Sequence, residues 1–293
     1  MSRVVSRAVW RALGVGALIL AALSAGAAAR DGGVTLDGAL TQGGLVIGRT
    51  VPGATVMLEK RAIRVAPDGT FVLGFGWNAA KEARLDVRYP DGTARTETLA
   101  IGQRIYKVSR IDGLPARKVS PKREDIERIG AESALIKTVR GRDTPDVFFR
   151  SRFVWPAVGR ISGVYGSRRI LNGKPRNPHL GVDIAAPKGT PVAATADGIV
   201  TLIHHGMFFT GKTLMIDHGH GLQSVYAHLD AIDVAQGAAV RQGQRIGRIG
   251  ATGRATAPHL HWGLSWFSTR LDPALVAGPM PGDKPKSKTI GKK

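Results

Sequence analysis

The sequence predicts a mainly β protein, with a small N-terminal β domain and a C-terminal antiparallel β domain joined by a helix. Three observations lead to this prediction. Short runs of alternating apolar and polar residues fill 34–108, helix-like apolar spacing follows residue 120, and strands separated by glycine turns dominate from residue 153. A chain of 293 residues is also longer than one small core requires.

The N-terminal domain is predicted over residues 30–115 as a small sandwich-like fold. Pro-Asp-Gly occurs at 67–69 and at 90–92 between alternating runs, and this pattern is typical of β-hairpin turns. The domain contains no histidine and no convincing cluster of acidic residues. We therefore expect it to support the rest of the protein rather than to carry chemistry.

A helical linker and loop are predicted over residues 116–152. Ser120 and Pro121 suit an N-cap and a first helical turn, and Gly141 suits a helix end. Between them, apolar residues recur near helical spacing at Ile126, Ile129, Ile136 and Val139. Residues 142–152 are predicted to form a loop.

The C-terminal domain is predicted over residues 153–276. Within it, residues 188–200 and 236–250 share a Gly-x-x-Val start and a second strand centred on glycine, which predicts a duplicated hairpin motif. The segment 277–293 is rich in lysine and offers little to bury, so a disordered basic tail is expected there.

Residues 1–29 have the three parts of a secretory signal. Arg3, Arg7 and Arg11 precede an apolar stretch, and small residues follow up to Ala29, where cleavage is predicted. The alternative is an uncleaved membrane anchor, because the apolar run approaches the ~18 residues that can span a bilayer. Either interpretation predicts an exported protein of the periplasm or cell envelope.

Composition limits the chemistry and the partners. The chain has no cysteine, so disulfides, thiol catalysis and zinc-thiolate sites are excluded, and any metal must be held by histidine and carboxylate. The formal net charge is +20, and +17 remains without residues 1–29, which carry three arginines and no acid. Export makes nucleic acid an unsuitable partner, so an anionic polymer or membrane surface is expected to meet the basic surface and tail.

All eight histidines lie within 179–261, so metal or proton-transfer chemistry is expected in the C-terminal domain. In PHLHWG, strand alternation places His259 and His261 on one face and Leu260 and Trp262 on the other. Two solvated surface imidazoles are the alternative for this fragment alone.

Two other segments add candidate residues. In NPHLGVDIAAP an extended backbone would place His179 and Asp183 on one face, with Gly181 leaving room between them. In VYAHLD, alternation places Tyr226 on the same side as His228. A catalytic zinc needs three protein ligands and one open position. The first pair and one histidine of PHLHWG satisfy that count, and two histidines remain for proton transfer.

The segments HLGVD, YAHL and GATGRATAPHLHWG resemble three motifs of the LytM/lysostaphin family of zinc endopeptidases, and the similarity extends over about 153–273. The resemblance implies an all-β fold that cleaves peptide cross-links or stems of peptidoglycan. It implies one Zn²⁺ per chain, bound by three ligands and served by two catalytic residues. The implied ligands are His179, Asp183 and His261, and the implied catalytic residues are His228 and His259.

Further roles follow from the same resemblance. We favour His259 as the general base, with His228 holding the water or stabilising the oxyanion. Arg168 occupies a Gly-x-Arg position and, with Tyr226, is a predicted substrate contact; a structural salt bridge is the alternative for the arginine. The other four histidines are interpreted as noncatalytic, namely His204, His205, His218 and His220.

Two other functions stay open at this point. Some members of the family have lost zinc ligands and act as noncatalytic peptidoglycan-binding regulators or activators of another hydrolase. All five implied positions are intact in this chain, which favours an enzyme. Hydrolysis of a protein outside the cell wall is the remaining alternative, because the residues that select the substrate are not identifiable from one sequence.

Overall fold

The structure is a computed structural model that describes residues 33–282. The predicted signal segment 1–29, and the tail from residue 283 onward, lie outside the described residues. The strands of the first part are β1 (Thr35–Gly38), β2 (Leu45–Arg49), β3 (Thr55–Leu58), β4 (Arg61–Ile63), β5 (Thr70–Gly74), β6 (Glu82–Arg88), β7 (Ala94–Ala100) and β8 (Val108–Ile111). The helices are α1 (Ala116–Val119), α2 (Arg123–Arg140) and α3 (Pro273–Ala277), with a 3-10 turn at Phe148–Arg150.

Twelve strands follow in the C-terminal part of the described chain. They are β9 (Arg160–Gly163), β10 (Arg168–Leu171), β11 (Lys174–Arg176), β12 (Val182–Ala185), β13 (Pro191–Ala193), β14 (Gly198–Met207), β15 (Gly211–Asp217), β16 (Leu222–Ile232), β17 (Ala239–Val240), β18 (Arg245–Ile249), β19 (His259–Trp266) and β20 (Thr269–Leu271). The predicted fold class is confirmed, since the protein is mostly β and its sheets are largely antiparallel. No helix within residues 33–282 is long and apolar enough to cross a membrane.

Two sheets form the N-terminal part, with strand orders β1-β2-β5 and β4-β3-β6-β7. Side chains from both sheets enter one apolar cluster, as expected of a sandwich-like arrangement. The turn at 90–92 joins the paired strands β6 and β7, so the predicted hairpin is present there. The turn at 67–69 instead connects β4 to β5, which belong to different sheets. The tripeptide Pro-Asp-Gly therefore forms a hairpin turn at 90–92 and a connection between the two sheets at 67–69.

The N-terminal sheets share their core with the C-terminal strands. Leu222, Leu264 and Trp266 belong to the same buried cluster as the sandwich side chains, and the described residues lie within one compact unit. Strand β8, which the sequence places in the domain 30–115, pairs in parallel with β10 of the C-terminal part. The C-terminal part therefore includes strand β8, which lies before the predicted domain boundary at residue 115.

The predicted linker helix is present, but it begins at Arg123 rather than Pro121. The backbone N–H of Lys122 donates to Asp125 Oδ2 at 3.2 Å, which satisfies one amide at the helix start. Only the last part of the apolar pattern is buried: Val139 joins a cluster on β14 and β15, whereas Ile126 is exposed.

Ten strands build the C-terminal sheet in the order β17-β14-β15-β16-β19-β12-β9, with β13, β18 and β20 attached to it. The duplicated segments do not form two separate hairpins, which corrects that part of the prediction. β13 of the first copy pairs with β18 of the second, and β14 of the first pairs with β17 of the second. The strands of each copy thus pair with strands of the other copy. The sequence similarity of the two segments does not distinguish this pairing from two separate hairpins.

Candidate active site

The three predicted metal ligands converge beside the β12-β19 pair. Asp183 and His261 stand opposite each other in the antiparallel register, where side chains on one face are neighbours. His261 Nδ1 lies 2.8 Å from Asp183 Oδ1 and 2.9 Å from His179 Nε2, and His179 Nε2 lies 2.9 Å from Asp183 Oδ1. One ion can therefore contact all three donor atoms.

Two glycines provide the space for this cluster. A Cβ on Gly181 would lie 2.6 Å from His261 Cε1, and a Cβ on Gly163 would lie 2.3 Å from Asp183 Oδ2. Real side chains do not tolerate either distance. The room that the sequence suggested at Gly181 is required by the structure, whereas the neighbouring Gly163 on β9 had no comparable sequence signal.

The surrounding hydrogen bonds fix how each ligand faces the cluster. His179 Nδ1 donates to the carbonyl of Val164 at 3.2 Å, so its Nε2 carries a lone pair. Arg169 donates to Asp183 Oδ2 at 2.8 Å and leaves Oδ1 for the cluster. Supporting contacts of this kind orient metal ligands in proteins.

The electrostatics also suit a cation. Burial acts to raise the pKa of Asp183, but its close contacts with the rings of His179 and His261 hold that pKa well below its usual range. Burial lowers the pKa of His261 to about 4, so its imidazole is neutral near pH 7. Two imidazoles and one carboxylate match the ligands that zinc uses in catalytic sites.

His228 reaches the same cleft because β16 is irregular. The pairing of β15 with β16 shifts between Lys212 and Leu214, which inserts one extra residue before Leu229. His228 itself has a φ of 62°. Bulges of this kind redirect a side chain beside an active site, and here the bulge turns the His228 ring toward His259, with ring centroids 4.7 Å apart.

His228 and His259 are held in the same way. His228 Nδ1 donates to the carbonyl of Thr252, and His259 Nδ1 donates to the carbonyl of Ala257, both at 2.8 Å. A carbonyl can only accept, so each neutral ring keeps the lone pair on Nε2. Burial lowers the pKa of His228 to about 3, whereas His259 lies at a more exposed position.

The same bulge makes the prediction for Tyr226 wrong. Its side chain is fully buried, and its hydroxyl accepts a hydrogen bond from the backbone N–H of Thr195 at 2.9 Å. Alternation would keep Tyr226 and His228 on one side, but the extra residue separates them. Tyr226 pairs with Trp262 in the core, so it has no access to a substrate.

The structure places Arg169, rather than the predicted Arg168, in the cleft beside the ligand cluster. Arg168 is exposed on β10. Among the described residues that line the two cavities beside the cluster, Arg169 is present and Arg168 is not. Because side chains alternate along a strand, a shift of one residue exchanges the faces. Leu180, which follows His179, also lines a cavity.

The two cavities flank the cluster and are strongly basic. One has a volume of about 500 Å³ and the other of about 260 Å³, and His228, Arg169 and Arg254 line both. Residues 111–121 form part of both linings. This segment is tied to opposite walls, because Arg176 donates to the carbonyl of Val119 at 2.6 Å and Lys118 donates to the carbonyl of Phe208 at 2.6 Å.

The remaining histidines lie away from the cluster. His218 is fully buried, with its ring nitrogens on the carbonyl of Asp197 at 2.6 Å and on Ser224 Oγ at 2.8 Å. His220 is buried against Phe149, with ring centroids 4.9 Å apart. His204 and His205 lie on β14 before the hairpin tip.

Comparison with known proteins gives matches to one family. Residues 177–273 match peptidase family M23. A crystal structure of a candidate peptidase M23 from Pseudomonas aeruginosa is 30% identical, covers 81% of this chain and 94% of that chain, and has a TM-score of 0.63. DD-carboxypeptidase/endopeptidase Mpg of Neisseria meningitidis is 43% identical over 122 residues, which are 42% of this chain and 28% of the relative. Peptidoglycan DD-endopeptidase ShyA of Vibrio cholerae is 38% identical over 128 residues, which are 43% of this chain and 30% of the relative.

The chain belongs to peptidase family M23, because it matches the Pseudomonas structure along most of both chains at 30% identity. M23 is the LytM/lysostaphin family, so the resemblance drawn from three motifs is confirmed. The chain spans less than a third of the length of the two named curated relatives.

Proposed function

We propose that the protein is an exported, zinc-dependent endopeptidase that hydrolyses peptide stems or cross-links of peptidoglycan. The observation that carries this proposal is the convergence of five residues in one cleft: three that form a ligand cluster and two imidazoles with free Nε2 atoms beside it. The named relatives include a peptidoglycan DD-endopeptidase, which supports peptidoglycan as the substrate.

His179, Asp183 and His261 would hold one zinc ion per chain. A zinc ion bound there would supply the Lewis acidity that polarises a peptide carbonyl and lowers the pKa of water. The ligand side chains are already oriented by Val164 and Arg169. The cavities on both sides leave the cluster accessible, as a catalytic rather than a structural metal site requires.

The two remaining imidazoles divide the proton chemistry. His259 Nε2 would take a proton from the attacking water and return it to the leaving amine, because its ring is the more accessible of the two. His228 Nε2 is also an acceptor, since Nδ1 is committed to Thr252. With its pKa lowered to about 3 by burial, His228 is better suited to hold the water by accepting a hydrogen bond than to carry the proton.

The proposed export and location of the enzyme depend on residues 1–29 and on the net positive charge. A secretory signal would deliver the enzyme to the periplasm or cell envelope, where peptidoglycan is found. The net positive charge would draw the protein to anionic wall polymers or membrane surfaces rather than to nucleic acid.

The test uses the mature protein, residues 30–293, with stoichiometric zinc. We expect it to release new amino groups from purified peptidoglycan or cross-linked muropeptides, and we expect a chelator to abolish the release. Mass spectrometry of the products identifies the bond that is cut. If no substrate yields new amines and the chelator changes nothing, the endopeptidase proposal is wrong and the noncatalytic regulator becomes the better explanation.

A further inference from the structure

Arg254 occupies an unusual position in the cleft. It follows the loop that carries Thr252, and its side chain lines both cavities. Its guanidinium stacks over the ring of Phe209 at 4.5 Å from the ring centroid, and its backbone N–H donates to the carbonyl of the same residue at 2.8 Å. The contact holds the guanidinium against Phe209, which lines one of the two cavities with it.

The charge of Arg254 has no acidic partner within residues 33–282. Arg169 shares the cleft, but its charge is balanced by Asp183. Arg254 Nη1 instead lies 3.5 Å from the carbonyl of Lys118, and Arg176 Nη2 donates to the next carbonyl, that of Val119. Neutral carbonyls satisfy hydrogen bonds but do not balance two positive charges.

Two other buried carboxylates in the described chain, those of Asp125 and Asp272, are matched with arginines. Asp125 lies 2.7 Å from Arg117, and Asp272 lies 2.8 Å from Arg104. Among the described residues that line the two cavities, Asp183 is the one acidic side chain and is engaged by the ligand cluster. Burial and the positive charges of Arg169 and Arg176 lower the pKa of Arg254 to about 10. The cleft therefore holds more positive charge than its own acids balance.

We infer that Arg254, assisted by Arg176, binds a carboxylate of the peptide substrate close to the bond that is cut. The inference rests on the proposed endopeptidase function and names a feature of the substrate, a free carboxylate beside the scissile bond. The guanidinium fork matches a carboxylate in geometry and charge. These two arginines contact the carbonyls of Lys118 and Val119, so a carboxylate that binds them replaces these two contacts.

The test compares two cross-linked muropeptides that differ only at the carboxyl groups beside the cross-link. In one, the carboxylates beside the cross-link are free, and in the other they are converted to carboxamides. For the zinc-loaded mature enzyme we expect kcat/KM to be about 10- to 100-fold higher for the carboxylate form, mainly through KM. Arg254→Gln removes this preference by lowering kcat/KM for the carboxylate form alone, and Arg254→Lys restores part of it.

The matched control is Arg241→Gln, which removes the same charge from an exposed position outside the linings of the two cavities. It keeps the wild-type preference. The inference is overturned if the wild-type enzyme treats both substrates alike, or if Arg254→Gln slows both by the same factor. If neither substrate is cut, the endopeptidase proposal fails, and calorimetric binding of the same two muropeptides still decides the matter. A tighter Kd for the carboxylate form that depends on Arg254 supports the inference, and equal Kd values contradict it.

Discussion

The chain contains two His-x-His pairs, and they serve opposite purposes. In DHGHG, His218 is buried with both ring nitrogens satisfied, and His220 is buried against Phe149. In PHLHWG, His261 joins the ligand cluster, and His259 has one nitrogen anchored and the other free. Accessibility separates the pairs, because both rings of DHGHG are buried, whereas both rings of PHLHWG are partly exposed at the cleft. The ring nitrogens of His220 have no hydrogen-bond partner within the described residues, so a free nitrogen marks a working ring only where the cleft can reach it.

The largest expected difference is between substitutions of the acidic residues next to the two pairs, Asp183 beside His261 and Asp217 beside His218. Asp183→Asn removes the one carboxylate of the ligand cluster and leaves the half-buried Arg169 without its ionic partner. We expect loss of stoichiometric zinc and a fall in peptidase activity of about 10⁴-fold or more. Metal analysis and initial rates check this.

The control for that variant is Asp217→Asn, beside His218. Burial raises the pKa of Asp217, and its carboxylate accepts hydrogen bonds from Gly219 and Thr144. This variant keeps zinc and activity. Equal loss of zinc in both variants would show that the described cluster is not the metal site.

A second contrast uses two histidines with left-handed backbones, His228 with a φ of 62° and His220 with a φ of 49°. Asparagine tolerates this conformation. His228→Asn is expected to keep zinc and to lose turnover by about 10²- to 10³-fold, because the Nε2 acceptor in the cleft is removed. His220→Asn is expected to keep turnover within about twofold while lowering the free energy of unfolding by about 1–3 kcal/mol, since a buried ring is lost. Rates and denaturant titrations measure both, and the reverse pattern would exchange the roles of the two residues.

The smallest expected effect is a pH dependence of the free energy of unfolding that arises from His218. Burial lowers its pKa to about 4 in the folded state, against about 6.5 in the unfolded chain. Between these values the unfolded state binds one more proton, so stability falls as the pH falls and is constant above about pH 7.

For the metal-free protein, this group contributes a loss of about 2 kcal/mol between about pH 7 and about pH 5. His218→Gln removes that share, as denaturant titrations at the two pH values would show. An unchanged slope in the variant would mean that His218 is not a buried neutral imidazole.

The comparison also shows what could be predicted from the sequence. Alternation grouped His179 with Asp183 and His259 with His261, and the family resemblance selected His261 as the ligand. The structure pairs Asp183 with His261 directly. Tyr226 was misplaced because the bulge before Leu229 interrupts that alternation, and no residue type marks it. Arg168 was selected from the sequence instead of Arg169, because consecutive residues of a strand face opposite sides and an error of one position selects the wrong face. Strand pairing between the repeats depends on distant contacts, which local sequence does not encode.

The central claim is that the two histidines of PHLHWG have different roles. The direct measurement is zinc content and turnover of His261→Ala and His259→Ala, side by side with the wild-type protein. The described geometry predicts that His261→Ala loses zinc and activity together, because Nδ1 of His261 belongs to the ligand cluster. It predicts that His259→Ala keeps one zinc per chain and loses turnover by about 10²- to 10⁴-fold. Equal loss of zinc in the two variants, or full turnover in His259→Ala, would contradict the account.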